Sequence, residues 1–122
     1  MNNVRIRTGR AGEMEAIRFL ENSGYTVLEK NYRKKFGEID IIARKDDYLV
    51  FVEVKTRTGV SHGSPFEAVT SRKQKQISRV AQCYLQEKRL HDTAARFDVV
   101  AVNMTGNKAP KIELIVNAFD LC

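Results

Sequence analysis

Glu53 and Lys55 stand two residues apart at the end of YLVFVEVKTR, Tyr48 to Arg57, a run that begins like a strand in the middle of a sheet. Residues i and i+2 of a strand share a face, so Leu49, Phe51, Glu53 and Lys55 point one way and two charges end an apolar row. The preceding strand turns at Lys45-Asp46-Asp47-Tyr48. A two-residue loop there sets Asp40 opposite Glu53 and Glu38 opposite Lys55. Directly opposed Cβ atoms lie about 4.5–5.5 Å apart, and like charges so placed are destabilising. Glu13 adds a third acid, because it lies on the stripe of Ala16, Ile17 and Leu20 that marks the inward face of the first helix. Glu15, Arg18 and Asn22 fall on the outer face. Carboxylates buried without partners are costly or become protonated. A hard cation such as Mg²⁺ or Mn²⁺ resolves the conflict, because it takes a few carboxylate oxygens, keeps several waters and leaves room for a phosphate. Beside a metal-bound phosphodiester, Lys55 would orient or help deprotonate an attacking water and stabilise charge on the phosphoryl oxygens. Glu13, Asp40 and Glu53 are thus the candidate metal ligands, with the Val54 carbonyl as a further donor and Lys55 as the catalytic cation. The strand pattern alone leaves another reading open, a surface ion-pair patch in which Glu38 faces Lys55.

These residues need elements to hold them. A helix is expected from about Gly9 to Ser23, with Thr8 as N-cap and Gly24 just past its end. Strand-like runs follow at Tyr25–Tyr32, Glu38–Arg44 and Tyr48–Lys55. The segment TRTGVSHGSPFEAV reads as a long loop. A second helix starts near Ser71, where SRKQ has the form of a capping box, and runs to about Arg89. Its apolar stripe is Ile77, Val80, Ala81, Tyr84 and Leu85. RFDVVAV and KIELIV are two more strands on either side of a turn at GNKAP. The order α-β-β-β-α-β-β predicts an α/β or α+β fold with a mostly buried central sheet, in a single domain spanning residues 1–122.

Lys and Arg outnumber Asp and Glu by 21 to 15, for a net charge of +6. That balance favours a polyanionic partner, nucleic acid ahead of an anionic membrane. Two cysteines, Cys83 and Cys122, provide neither a disulfide framework nor zinc-ligand spacing, so a reducing compartment is expected. The first residues lack an apolar signal core, and no apolar stretch approaches the ~18 residues of a membrane span. A soluble, cytoplasmic protein without a membrane partner is the expectation.

Lys73, in the first turn of the second helix, opposes the helix dipole and shares the line of Ile77 and Ala81. It is a candidate to meet a DNA phosphate or a carboxylate of the site, against a surface lysine lying along apolar neighbours. Gln76 is a weaker candidate at the same edge, with solvated helix surface as its simpler reading. Arg10, Arg33, Lys34, Lys35, Arg57 and Arg72 flank the site in sequence. Each alone reads as a solvated charge, and together they fit a footprint on a nucleic-acid backbone. His62, in the glycine-bearing loop, and His91, at a helix end, read as exposed. Cys83 and Tyr84 read as packing, and Cys122 as a tail thiol.

GRAGEMEAIRFL, NYRKKFGEIDIIA and FVEVKTR, followed by SRKQKQISRVAQCYL and RFDVVAV, resemble the YraN-type family of small bacterial proteins. The resemblance runs in order from about Gly9 to Val102. That family is placed in the PD-(D/E)XK restriction-endonuclease-like superfamily, near archaeal Holliday-junction resolvases. The resemblance implies a restriction-endonuclease-like αβββαβ core, with a mixed central sheet flanked by helices. It also implies a divalent-metal-dependent endonuclease site at Glu13, Asp40, Glu53 and Lys55, acting on DNA at branched or structured positions, and a homodimer. Ile39 stands where the superfamily's name has proline. Two rival expectations are a nucleic-acid-binding module of the same fold without catalysis, and an adaptor whose basic surface meets an acidic protein.

Overall fold

Alternation along β3 (Tyr48–Thr58) sends Val50 and Val52 to one face of the sheet and Leu49 and Phe51 to the other. Two apolar clusters result, one under each helix. The computed structural model describes residues 3–58, 69–104, 106 and 108–121, with side chains from Gly9 onward. His62, Cys122 and most of the expected loop, residues 59–68, lie outside the described residues. The elements are α1 (Asn3–Asn22), β1 (Thr26–Lys34), β2 (Gly37–Lys45), β3, α2 (Ser71–Glu87), β4 (Ala95–Met104) and β5 (Lys111–Phe119). They form an α/β fold in which one five-stranded sheet has the order β1-β2-β3-β4-β5. Only β3 and β4 are parallel, so the sheet is mixed, in agreement with the expected αβββαβ core.

α1 begins six residues before the expected start, so Thr8 lies inside the helix and does not cap it. Gly12, inside the helix, sits where α1 crosses β3. A Cβ at Gly12 would stand 2.0 Å from Thr56 Oγ1, so the glycine lets α1 press directly onto β3. Ala16 and Leu20 continue that contact into the cluster of Tyr25, Ile41, Val50, Val52, Val100 and Val102. The expected end is present: Gly24 takes φ 92°, and the Tyr25 amide closes on the Leu20 carbonyl at 2.9 Å.

α2 is capped by Thr70 rather than Ser71, with the Thr70 hydroxyl accepting from the Lys73 amide at 3.2 Å. The expected capping box does not form, because Gln74 turns its amide to the Val69 carbonyl. The expected stripe does pack, with Ile77, Val80, Ala81 and Tyr84 buried against Ile42, Leu49, Phe51 and Phe97 and Leu85 beside them. Cys83 is half-buried and free, and His91 is exposed.

Candidate functional site

The β2–β3 hairpin has the expected register, from Lys45 opposite Tyr48 to Ile41 opposite Val52. Asp46, the first loop residue, takes φ 54°, as short hairpin loops require. The paired rungs end at Ile41 and Val52. Continued one step further, they would set Asp40 against Glu53. Two steps further, Ile39 would meet Val54. Instead, the Asp40 carboxylate fills the gap and accepts from the Val54 amide at 2.7 Å. The face alternation of β2 breaks at the same place. Ile39 and Ile42, three residues apart, both join the cluster under α2, whereas Ile41 joins the one under α1. Across the sheet, Asn31 of β1 takes φ 52°.

Glu53 lies on the face of Leu49 and Phe51, under α2, and is 5% exposed. Lys73 of α2 places Nζ 3.5 Å from Glu53 Oε2, and Lys55 places its Nζ 3.9 Å from the same oxygen. Asp40 is raised from 3.8 to about 8, first by burial, then by the neighbouring Glu53 charge and a hydrogen bond to its carboxyl. The Val54 amide opposes that rise, because it favours the ionised form. Glu53, buried, and Asp40, half-buried, therefore share the gap, with two ammonium groups on the Glu53 side.

Glu13 approaches from the other face. Gly12 fixes the crossing on Thr56, so the next residue arrives at the same gap. The Asn31 amide donates to Glu13 at 3.2 Å and to Glu38 at 3.0 Å. Burial raises the Glu13 carboxyl above its ordinary range; the Asn31 bond lowers it, and Asp40 and then Glu38 push it up again. Asp40 acts electrostatically on Glu13 and is acted on by Glu53, so it is the acid at the centre. Glu13 and Glu53 belong to opposite faces of the sheet, with Asp40 in the gap between strands. Among the described residues, no three Asp, Glu, His or Cys side chains close around one point.

Glu38 does not face Lys55. It lies opposite Arg33 of β1 and binds that guanidinium at 3.0 Å, because β2 has already parted from β3 there. Val54 turns its amide toward β2, and in a strand the N–H and C=O of one residue leave by the same edge, so its carbonyl also faces the gap. The donors at the gap are thus two carboxylates and a main-chain oxygen. That set fits Mg²⁺ or Mn²⁺, which bind through one or two carboxylates and complete their sphere with water and phosphate.

The remaining candidates are scattered around this centre. Arg72 and Arg10 are exposed on α2 and α1, and Arg57 is half-buried two residues beyond Lys55. Gln76 donates to the Phe36 carbonyl and so holds the β1–β2 turn against α2. Gly37 permits that approach, since a Cβ there would stand 2.8 Å from Gln76 Cγ. Sequence reasoning missed Asn31, whose only signal is an amide in a strand that also carries several charges. It also missed a second acid network. Asp98, fully buried, accepts from the Tyr25 hydroxyl at 2.8 Å, from Arg96 Nε at 3.1 Å and from the Asn117 amide at 2.9 Å. There the charge is fully paired, which is the ordinary structural solution for a buried acid.

The fold and the gap define a small α/β protein that holds two acids, Glu53 buried and Asp40 half-buried, where two strands of a mixed sheet part. The chain belongs to the uncharacterised protein family UPF0102, whose sequence model matches residues 12–102; this is the YraN-type family its motifs resemble. It is 53% identical over 116 residues to a UPF0102 protein of Syntrophus aciditrophicus, covering 95% of this chain and 91% of that one. It is 50% identical over 113 residues to one of Geotalea daltonii, covering 93% and 89%. It is 48% identical over 121 residues to one of Syntrophotalea carbinolica, covering 99% and 98%. No helix among the described residues is long and apolar enough to cross a membrane.

Proposed function

We propose that this protein is a divalent-metal-dependent endonuclease that hydrolyses DNA phosphodiester bonds, with branched or structured DNA as the substrate its family resemblance suggests. The observation that carries the reading is the Asp40–Glu53 pair, set in the gap between β2 and β3 and rimmed by Lys55 and Lys73. Surface ion pairs do not set two acids side by side, whereas a cation site does. Asp40, Glu53 and the Val54 carbonyl would hold Mg²⁺ or Mn²⁺, and Glu13 would act on Asp40 and on water at the same gap. When bound, the ion polarises a phosphoryl oxygen and acidifies a water. The Lys55 ammonium donates to the phosphoryl oxygens and orients the attacking water. Hydrolysis adds that water across the P–O bond, its hydroxyl going to phosphorus and its proton to the departing oxygen. Lys73 and the flanking Arg10, Arg57 and Arg72 bind backbone phosphates without reading bases.

The test is incubation with branched and linear DNA in Mg²⁺, Mn²⁺ or EDTA. Cleavage should occur with metal, stop in EDTA, and be lost in Glu53→Gln and in Lys55→Ala. A second reading has its own observation: Glu13 is bonded to Asn31, and Glu53 already lies between two lysines. It is a DNA-binding module of the same fold without catalysis, and DNA binding with no cleavage under any metal would select it.

A further inference from the structure

A basic groove leads away from the acid pair. The β1–β2 turn and the first turns of α2 enclose an open cavity of about 400 Å³, lined on the turn side by Arg33, Lys34, Lys35 and Glu38 and on the helix side by Lys73 and Gln76. Four of these residues are cationic and one is acidic. The walls are fixed, because Gln76 binds the Phe36 carbonyl and the Arg79 guanidinium lies 4.3 Å from the centre of the Phe36 ring. Two of the cations are already paired: Arg33 with Glu38, inside the groove, and Lys34 with Glu87 of α2. Lys35 is exposed and pairs with no carboxylate among the described residues. Lys73 belongs to both places, lining the groove while its Nζ meets Glu53.

We infer that this groove is the track along which phosphates of a nucleic-acid strand reach the acid pair, and that Lys73 exchanges Glu53 for a phosphate as the strand enters. The inference rests on the proposed nucleic-acid substrate and adds the route to the site. A polyanion fits because the groove offers fixed positive charge and hydrogen-bond donors but few apolar contacts. Backbone phosphates supply the complementary charge at regular spacing. The exchange follows from electrostatics. An ammonium beside Glu53 opposes a second cation at that carboxylate, so Lys73 and a metal ion compete until a phosphate takes the lysine.

The two roles separate in two variants, Lys35→Glu and Lys73→Ala. DNA affinity is measured by anisotropy of a labelled duplex in EDTA between about 50 and 200 mM salt. Mn²⁺ affinity is measured by calorimetry without DNA. Lys35→Glu should weaken DNA binding about tenfold, flatten the log–log salt slope by about 1, and leave Mn²⁺ binding as in the parent chain. Lys73→Ala should also weaken DNA binding but tighten Mn²⁺ binding several-fold. Unaltered DNA affinity and salt slope in folded Lys35→Glu would overturn the groove, and weakened or unchanged Mn²⁺ binding in Lys73→Ala would overturn the exchange. Neither result depends on cleavage. A chain that binds DNA through the groove and cuts nothing keeps this inference while the hydrolase reading fails. One that cuts DNA with Lys35→Glu binding undiminished does the reverse.

Discussion

Replacing Asp40 by asparagine should make the protein more stable while abolishing its proposed activity. The folded state raises the Asp40 carboxyl from 3.8 to about 8, chiefly through burial and then through the charge of Glu53. An acid raised on folding keeps a proton that the unfolded chain releases. The contribution of Asp40 is therefore most favourable below pH 4, falls as pH rises from about 4 to about 8, and levels off above that. A shift of about four units, at about 1.36 kcal/mol per unit, sets a ceiling of about 5 kcal/mol at pH 8. Relaxation and water at the opened strands reduce this to the order of 2–3 kcal/mol. Asparagine is neutral and keeps an acceptor for the Val54 amide, so it removes the penalty without vacating the gap. Urea unfolding in EDTA across this pH range should give a declining stability for the parent chain and a flatter, higher one for Asp40→Asn. Mg²⁺ at about 100 times its Kd should then stabilise the parent by about 2.7 kcal/mol, with no comparable gain for the variant. Equal stabilities at pH 8, or parent stability that rises through this range, would refute the reasoning.

Two further outcomes test the supports of the site. Gly12→Val places side-chain atoms where Thr56 Oγ1 and Cγ2 stand, at 2.0 and 2.8 Å from the first added carbon; it should cost about 1–3 kcal/mol in urea unfolding, part of which Thr56→Ala recovers. Tyr25→Phe removes the hydroxyl that donates to fully buried Asp98 and accepts from Arg96, so unfolding should show a loss of about 1–3 kcal/mol while DNA affinity by anisotropy is unchanged.

Much of the site was legible because it follows from short-range rules. A two-residue loop at Asp46-Asp47 fixes register, and register carries Asp40 toward Glu53. Helical periodicity makes Glu13 inward-facing whatever the exact start of α1. What escaped depends on breaks in those rules. Alternation placed Asp40 on the face of Glu53, but β2 and β3 part after Ile41 and a side chain replaces the ladder partner. Glu38 was expected beside Lys55 for the same reason, and the parted strand delivers it to Arg33. The expected start of α1 at Gly9, with Thr8 as cap, also failed, because a hydroxyl residue inside a helix and one that caps it look alike in sequence. Asp98 was read only as a letter within RFDVVAV, since its partners Tyr25 and Asn117 are distant in the chain.

Two acids within the sheet, Asp98 fully buried and Asp40 half-buried, are handled differently. Asp98 and Asp40 both lie within the sheet, yet Asp98 receives a guanidinium, a hydroxyl and an amide, whereas the side chain that Asp40 meets is another acid. The same chain can thus pair a buried carboxylate fully where only stability is at stake. The topology explains where it does otherwise. β3 and β4 are parallel, so the connection from β3 must return through α2, and α2 starts at the end of the sheet where β3 finishes. That brings Lys73 over Glu53, while α1, pressed onto Thr56 through Gly12, brings Glu13 to the other side of the same gap. Four elements therefore converge where the β2–β3 ladder opens, and the groove along the β1–β2 turn gives that opening a basic approach. An arrangement that holds the Asp40 carboxyl beside Glu53, with cations placed around the pair, is one that a bound metal and a phosphate, as proposed, would complete.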